Sequence, residues 1–377
     1  MDFPLRILHV VVNMNRGGAE TLIMNWYRNI DRSKIQFDFL TCKAGSFDSE
    51  IEKMGGKVHR IPYITDAGHF RYIRALKDFF LAHPEYRAIH SHMDKMSGFV
   101  LREAQKAGVP IRISHSHNTS SEGGFAAKGY KWYAGNYICQ NASHFFACSS
   151  HASEWLYGNR VNQTVILKNG IDADLFNYSA TIEGQMRKEF GLEKKHYVIG
   201  HVGRFCRQKN HSFLIDVFSE IHKINPNAFL VLAGEGPLKV DVVQKVKRLG
   251  LSEKVKFLGN RGDIHKVLQS FDVMLFPSFH EGLPVSLIEA QAAGVPCIIS
   301  EAVSKEVDMG AELIKFANIN GSPRLWAYLA LLSDKSKEAG TAHLQDKGYE
   351  IGQSAGWLQS FYLKTLGKSG GMGEKTG

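Results

Sequence analysis

Short apolar runs alternate with amphipathic helical stretches along almost the whole chain, and this alternation constrains the fold more than any other feature. A strand, a helix and another strand in repeating order build parallel sheets covered by helices on both faces. In the first half the runs Arg6–Val12, Phe37–Thr41, Lys57–Ile61, Ala88–Ser91, Ile111–His115, His144–Ala147 and Val165–Leu167 read as strands. Between the first two, Ala19, Leu22, Ile23, Trp26 and Ile30 recur at helical spacing. The alternation restarts at Tyr197–Gly203 and continues through Phe229–Ala233, Val255–Leu258, Val273–Phe276 and Cys297–Ile299. A helix after Gly203 would place Phe213, Leu214, Val217, Phe218 and Ile221 on one face.

A chain of 377 residues exceeds what one hydrophobic core organises, so two domains are expected. The boundaries fall at residues 1–168 and 196–356, with a polar, irregular linker over 169–195. A helix at about 357–366 is expected to cross back onto the first domain, and the Gly- and Lys-rich stretch 367–377 reads as a disordered tail. The architecture expected is α/β, with two Rossmann-like domains whose parallel sheets face across a cleft. In such sheets ligands bind beyond the carboxyl ends of the strands.

Composition narrows the function classes. Hydrophobic residues at 44% and aromatics at 11% belong to a packed globular protein. Five scattered cysteines without a Cys-x-x-Cys pair point to a reducing compartment and against a structural zinc. MDFPLRILHVVV begins a strand and lacks the apolar stretch of a signal peptide, and no long uncharged apolar window would span a membrane. A cytoplasmic protein is expected, peripheral at most at the inner face of the cell membrane. The net charge of +9 comes without finger spacing, RNP-type aromatics or a dense basic block, which argues against nucleic acid. An anionic nucleotide or an anionic membrane surface fits the scattered cations better.

The chemistry-bearing residues sit after the strands. Asn15-Arg16-Gly17-Gly18-Ala19-Glu20 opens the first helix, where paired glycines let a backbone approach a ligand and the helix N-terminus supplies N–H donors. It is not G-x-G-x-x-G, so a dinucleotide is poorly supported. Two His-x-His pairs, His90-Ser91-His92 and His115-Ser116-His117, stand at strand ends, where residues two apart share a face. That spacing can chelate zinc if the four converge. No carboxylate or cysteine of fitting spacing joins them, so no metal is expected. A hydrogen-bonding or catalytic histidine, His117 above all, is the preferred reading. Lys128 to Tyr137 interleaves lysines with Tyr130, Trp132, Tyr133 and Tyr137, as an interfacial membrane helix does, or as a surface helix packed on its own domain.

Further on, Arg204 ends a strand and Lys209 opens a helix, a pair of cations suited to clamp a pyrophosphate. Ala233-Gly234-Glu235-Gly236-Pro237 makes a tight turn with Pro237 beginning a helix, and Asn260 could line a base pocket. In PSFHEGLPVSLIEAQAAGVPCIIS, Glu281 lies in an entry loop and Glu289, with seven residues between the two, lies on the apolar helical run that follows, before a Gly-Pro stop. Two carboxylates beside helix N–H groups suit a ligand with both hydroxyls and phosphates, such as a nucleotide sugar.

Together, NRGGAE, HSHN, LKNGID, GRFCRQKN, LAGEGP, VKFLG and the Glu281–Glu289 segment resemble the retaining GT-B glycosyltransferases of family four, from residue 5 to about residue 310. MNRGGAE and HSHNTS look most similar to bacterial exopolysaccharide and capsular polysaccharide biosynthesis glycosyltransferases. The resemblance implies transfer of a hexose from a UDP-sugar to a lipid-linked saccharide with retention. It implies that Arg204 and Lys209 hold the diphosphate, Glu289 the ribose hydroxyls, and Glu281 faces the donor sugar. The backbone of Gly282, Leu283 and Val285 would contact sugar or phosphate, whereas Pro284 has no N–H to give. Gly17 and Gly18 would close over the phosphates, and His117 would bond the donor sugar. Two basic side chains at the leaving group make a divalent ion unnecessary, and Asp172-Ala173-Asp174 sits away from them, so no metal or other cofactor is expected. Two alternatives are a UDP-sugar epimerase of the same architecture and a non-catalytic nucleotide-sugar-binding partner of an assembly complex.

Overall fold

A computed structural model describes residues 4–121, 123–333 and 341–370, with side chains to residue 367. The chain divides into two units, Met1–Gly170 joined by the segment from Ile351, and Ile171–Glu350.

The first unit holds a seven-stranded sheet in the order β3-β2-β1-β4-β5-β6-β7. Its strands are β1 (Leu5–Val10), β2 (Ile35–Thr41), β3 (Val58–Arg60), β4 (Ala88–Ser91), β5 (Ile111–Ser116), β6 (His144–Ala147) and β7 (Thr164–Ile166). Every pairing is parallel. All seven residues of β2 are buried, as befits a strand covered on both faces. Asp38 inside it is tolerated because Arg6 grips its carboxylate and Tyr86 donates to it at 2.8 Å. The Gly18–Asn29 helix buries Leu22, Ile23, Met24, Trp26 and Tyr27. These meet Ile351, Ala355, Leu358, Tyr362 and Leu366 of the C-terminal helix in one core. Trp26 Nε1 donates to Ser354 Oγ at 3.2 Å and fastens the two helices together.

The second unit holds a six-stranded parallel sheet in the order β10-β9-β8-β11-β12-β13. Its strands are β8 (Tyr197–Val202), β9 (Ala228–Ala233), β10 (Val255–Gly259), β11 (Val273–Phe276), β12 (Cys297–Ser300) and β13 (Ile314–Ala317). The His211–Ile224 helix buries Leu214, Val217, Phe218 and Ile221 as its spacing requires, and Phe213 packs edge-on to Trp326. Two parallel Rossmann-like sheets are therefore present, one in each unit.

Several boundaries differ from the sequence reading. The stretch 169–195 is not a bare linker. From Ile171 it belongs to the second unit and carries the Ala180–Glu189 helix, capped by Ser179. Its polar composition concealed internal pairing: Arg187 bonds Asp272 at 2.7 Å and the His196 carbonyl at 2.9 Å. Lys209 lies in a 3-10 turn, Arg207–Lys209, and the helix starts at His211 after Asn210 in the left-handed region at φ 51°. Likewise the helix after Pro237 begins at Lys239. The C-terminal helix runs Ile351–Gly370, because burial in the core outweighs the weak helix propensity of Gly352 and Gly356. Residues 367–370 of the expected tail are helical, and 371–377 lie outside the described residues. Replacing Leu358, wholly buried, with Ala should destabilise the first unit by about 2–5 kcal/mol. Thermal unfolding reads this, and an unchanged midpoint would detach the helix from that core.

Candidate active site

In an open α/β sheet, a crevice forms where the strand order reverses, because connections leave the two central strands in opposite directions. In the second unit this point lies between β8 and β11. The loops leaving those two strands are stapled together. Phe279 N–H donates to the Gln208 carbonyl at 2.9 Å, and Gln208 Nε2 donates to the His280 carbonyl at 2.9 Å. Lys209 Nζ then bonds Glu281 Oε1 at 2.7 Å, with side chains only 14% and 8% exposed. The ammonium also sits 4.5 Å from the centre of the Phe276 ring. Gly203 leaves room for this: a Cβ there would stand 3.3 Å from Lys209 Cε, so the lysine stem passes across the bare strand end.

Around this pair the sequence-derived candidates divide. Arg204 is exposed, and its side chain has no hydrogen bond or ion pair among the described residues. Gly234, at φ 138°, brings the next loop so close that a Cβ would fall 2.1 Å from the Gly203 carbonyl oxygen. The loop after β10 adds exposed Asn260, while Arg261 is committed to Asp263 and Glu189. Leu283 and Gly282 are buried before the Val285–Ala292 helix, whose N-cap is Pro284. On that helix Glu289 is half-buried with no side-chain hydrogen bond, and loss of solvent pushes its carboxyl up to about 7. Of the charged candidates around the β8–β11 reversal, Arg204 is exposed, Lys209 is held by Glu281, and Glu289 lacks a side-chain hydrogen bond among the described residues.

The first unit reverses between β1 and β4. After β1, Gly17 is the N-cap of the Gly18–Asn29 helix and Gly18 is exposed with open space where a side chain would stand. After β4 and β5 the two His-x-His pairs do converge, joined by His9 from β1, which pattern reading missed. His9 stands as one polar residue within an apolar strand, and only the in-register pairing of His9 with His90 places it in the group. His117 Nε2 lies 2.8 Å from His92 Nδ1, and His92 Nε2 lies 3.0 Å from His9 Nδ1. His90 lies 3.0 Å from His115 and 2.6 Å from the Tyr362 hydroxyl. Ring nitrogens of His9, His90 and His92, and of His92, His115 and His117, come within 4.8 Å of one another. Burial pushes His9 and His117 down to about 3 and the other three well below the ordinary imidazole range, so all five are neutral near pH 7. Asp94 anchors the loop beyond, accepting from Asn118 Nδ2 at 2.6 Å and His117 N–H at 3.3 Å.

Residues 17–170 match the glycosyl transferase 4-like domain and residues 183–310 the glycosyl transferases group 1 family. The chain is 36% identical over 368 residues to EpsF of Bacillus subtilis (strain 168), a glycosyltransferase by name, covering 95% of this chain and 96% of EpsF. It is 28% identical, over 78% of this chain and 79% of the relative, to the Escherichia coli UDP-Gal:alpha-D-GlcNAc-diphosphoundecaprenol alpha-1,3-galactosyltransferase. Anabaena HepE, solved with UDP and glucose, shares the fold with a TM-score of 0.80 at 20% identity, over 95% of this chain and 99% of HepE. Two Rossmann-like units, each reversing its strand order at the centre of its sheet, thus belong to an enzyme of glycosyl transfer. The chain is a member of the group 1 glycosyltransferase family.

Glu289 yields a pH test. Its folded-state carboxyl titrates near 7 rather than 4.5, so the folded protein holds more protons between those values and loses stability as pH rises through them. Glu289→Gln removes that penalty. It should raise stability by about 1–2 kcal/mol at about pH 8 and by almost nothing near pH 4.5, after discounting for partial exposure. Equal midpoint shifts at both pH values would mean that the acid is not strained.

Proposed function

We propose that the protein transfers a hexose from a UDP-sugar to a lipid-linked saccharide, with retention, in exopolysaccharide or capsular polysaccharide biosynthesis. The observation that carries this reading is the β8–β11 reversal with exposed Arg204, Lys209 held against Glu281, and Glu289 left without a side-chain partner. UDP departure builds charge on the β-phosphate. Arg204 and Lys209 oppose that charge more strongly in the transition state than in the ground state, which is the condition for catalysis. They do what a divalent ion would do, so catalysis is read as metal-independent. Glu289 takes the ribose hydroxyls, Asn260 flanks the base, and the Gly282, Leu283 and Val285 backbone meets the sugar and phosphate. Gly17 and Gly18 cover the phosphates, and His117 bonds the sugar. The UDP and glucose bound by HepE support the donor class, and the diphosphoundecaprenol in the galactosyltransferase's name supports the acceptor class.

Retention is assigned to same-face displacement. Glu281 is tied to Lys209 and makes a poor nucleophile for a covalent intermediate. The bond from the anomeric carbon to the UDP oxygen breaks as the acceptor oxygen bonds to the same face, and the acceptor proton passes to the departing phosphate. Access to a lipid-linked acceptor is supported by the Phe125–Gly135 helix, where Phe125, Lys128 and Trp132 share an exposed stripe. Tyr130, Tyr133 and Tyr137 instead pack against Phe99. Among the described residues no helix is long and apolar enough to cross a membrane.

Lys209→Ala should lower kcat by about 100- to 1,000-fold, and Arg204→Ala comparably. The test combines a thermal-shift panel of UDP-, GDP- and ADP-sugars with determination of the product anomer. UDP-sugars should stabilise the protein most, and an inverted product or a preference for GDP- or ADP-sugars would overturn the assignment.

A further inference from the structure

Five imidazoles meet at the strand-order reversal of the first unit, and their hydrogen bonds cannot all be closed. Each bond between neutral rings uses one N–H and one lone pair, and each ring owns one of each. His9, His92 and His117 share two such bonds in a row. Whichever way the hydrogens point, one end of this row keeps an N–H and the other a bare lone pair. Both ends, His9 Nε2 and His117 Nδ1, are buried atoms without a partner among the described residues. His115 Nε2, on the far side of the His90–His115 bond, is a third. Buried polar atoms are seldom left idle in such numbers within one stack.

A metal ion of borderline softness uses what is left over, because it binds the imidazole lone pair and leaves the N–H of each ring for an outer partner. One nitrogen each of His92, His115 and His117 lies within 4.8 Å of the other two. Zn–N bonds of about 2.0–2.1 Å at tetrahedral angles set ligand nitrogens about 3.3 Å apart. The spacings here, from 2.8 Å between His92 Nδ1 and His117 Nε2 up to 4.8 Å, bracket that value. The rival group, His9, His90 and His92, is closed off: all three are buried, and Tyr362 and His115 engage both nitrogens of His90. The first triad instead has idle nitrogens on two of its three rings. His117 is also part-exposed just past β5, which gives an ion a way in and a water the fourth position.

The donor set selects the ion. Three neutral nitrogens suit Zn2+ or Co2+ and not the oxygen-seeking Mg2+ and Ca2+. Burial keeps the rings neutral and so leaves their lone pairs available. From this convergence we propose that His92, His115 and His117 bind one zinc-class ion that ties the ends of β4 and β5 together. His9 is a positioning residue that bonds the far nitrogen of His92. The ion is a fastening of the first unit and stands apart from the proposed glycosyl transfer, whose leaving group Arg204 and Lys209 serve.

Co2+ titration of untagged, EDTA-treated full-length protein reads the site directly, because tetrahedral Co2+ absorbs visible light and Zn2+ does not. The expected result is one equivalent bound at micromolar concentration with intense visible bands, which Zn2+ bleaches and Mg2+ leaves unchanged. Zn2+ should also raise the thermal unfolding midpoint. His92→Phe and His115→Phe, checked for folding by circular dichroism, should each weaken Co2+ binding by roughly 100-fold or more, and His9→Phe by about tenfold. Wild-type protein without the visible bands overturns the inference, whatever the variants do. Equal affinity in wild type, His92→Phe and His115→Phe would put the ion on other histidines and overturn it as well.

Discussion

The Lys209–Glu281 ion pair is the interaction on which the second unit's site depends. Its partners belong to loops 72 residues apart that leave adjacent strands, and the Gln208 contacts flank it on the same seam. A buried pair of this kind gives little net stability, since desolvating both charges costs about what their attraction returns. Breaking it is another matter, because the surviving charge stays buried alone at a cost of about 3–5 kcal/mol. The pair therefore defines a geometry rather than a reserve of stability. It holds an ammonium at the crevice with its stem threaded over Gly203 and its head against Phe276.

The two units apply one construction to different chemistry. Each reverses its strand order at the centre of the sheet and places short loops and a helix N-terminus there. The second unit collects charge at that point and the first collects neutral imidazoles. Both leave polar groups less well satisfied than folding alone would choose: Glu289 without a partner, and orphan nitrogens on His9, His115 and His117. The histidine nitrogens are buried atoms without a hydrogen-bond partner among the described residues, and Glu289 is a half-buried carboxyl without a side-chain hydrogen bond.

Much of this was legible in the sequence because it rests on local pattern. The alternation of runs located twelve of the thirteen strands among the described residues to within a few residues, since buried parallel strands are largely continuous apolar segments. β13 escaped because Lys315 interrupts its four-residue run, Ile314–Ala317, and leaves no continuous apolar segment. Arg204, Lys209, Glu281 and Glu289 were recognisable as charges at element ends. That Lys209 and Glu281 bond each other was not, because the contact is made by sheet order. His9 was invisible for the same reason: a single histidine in an apolar strand acquires its meaning from the two strands that follow it in space.

Titration of UDP, without sugar, into wild-type protein, Lys209→Ala and Glu281→Ala tests the central claim most directly. If Lys209 serves the diphosphate and Glu281 the sugar, Lys209→Ala weakens UDP by about tenfold or more. Glu281→Ala, which releases the lysine, leaves UDP binding equal or tighter and loses the added affinity for UDP-sugar. Equal loss of UDP binding in both variants would contradict the account and reduce the pair to a staple between two loops.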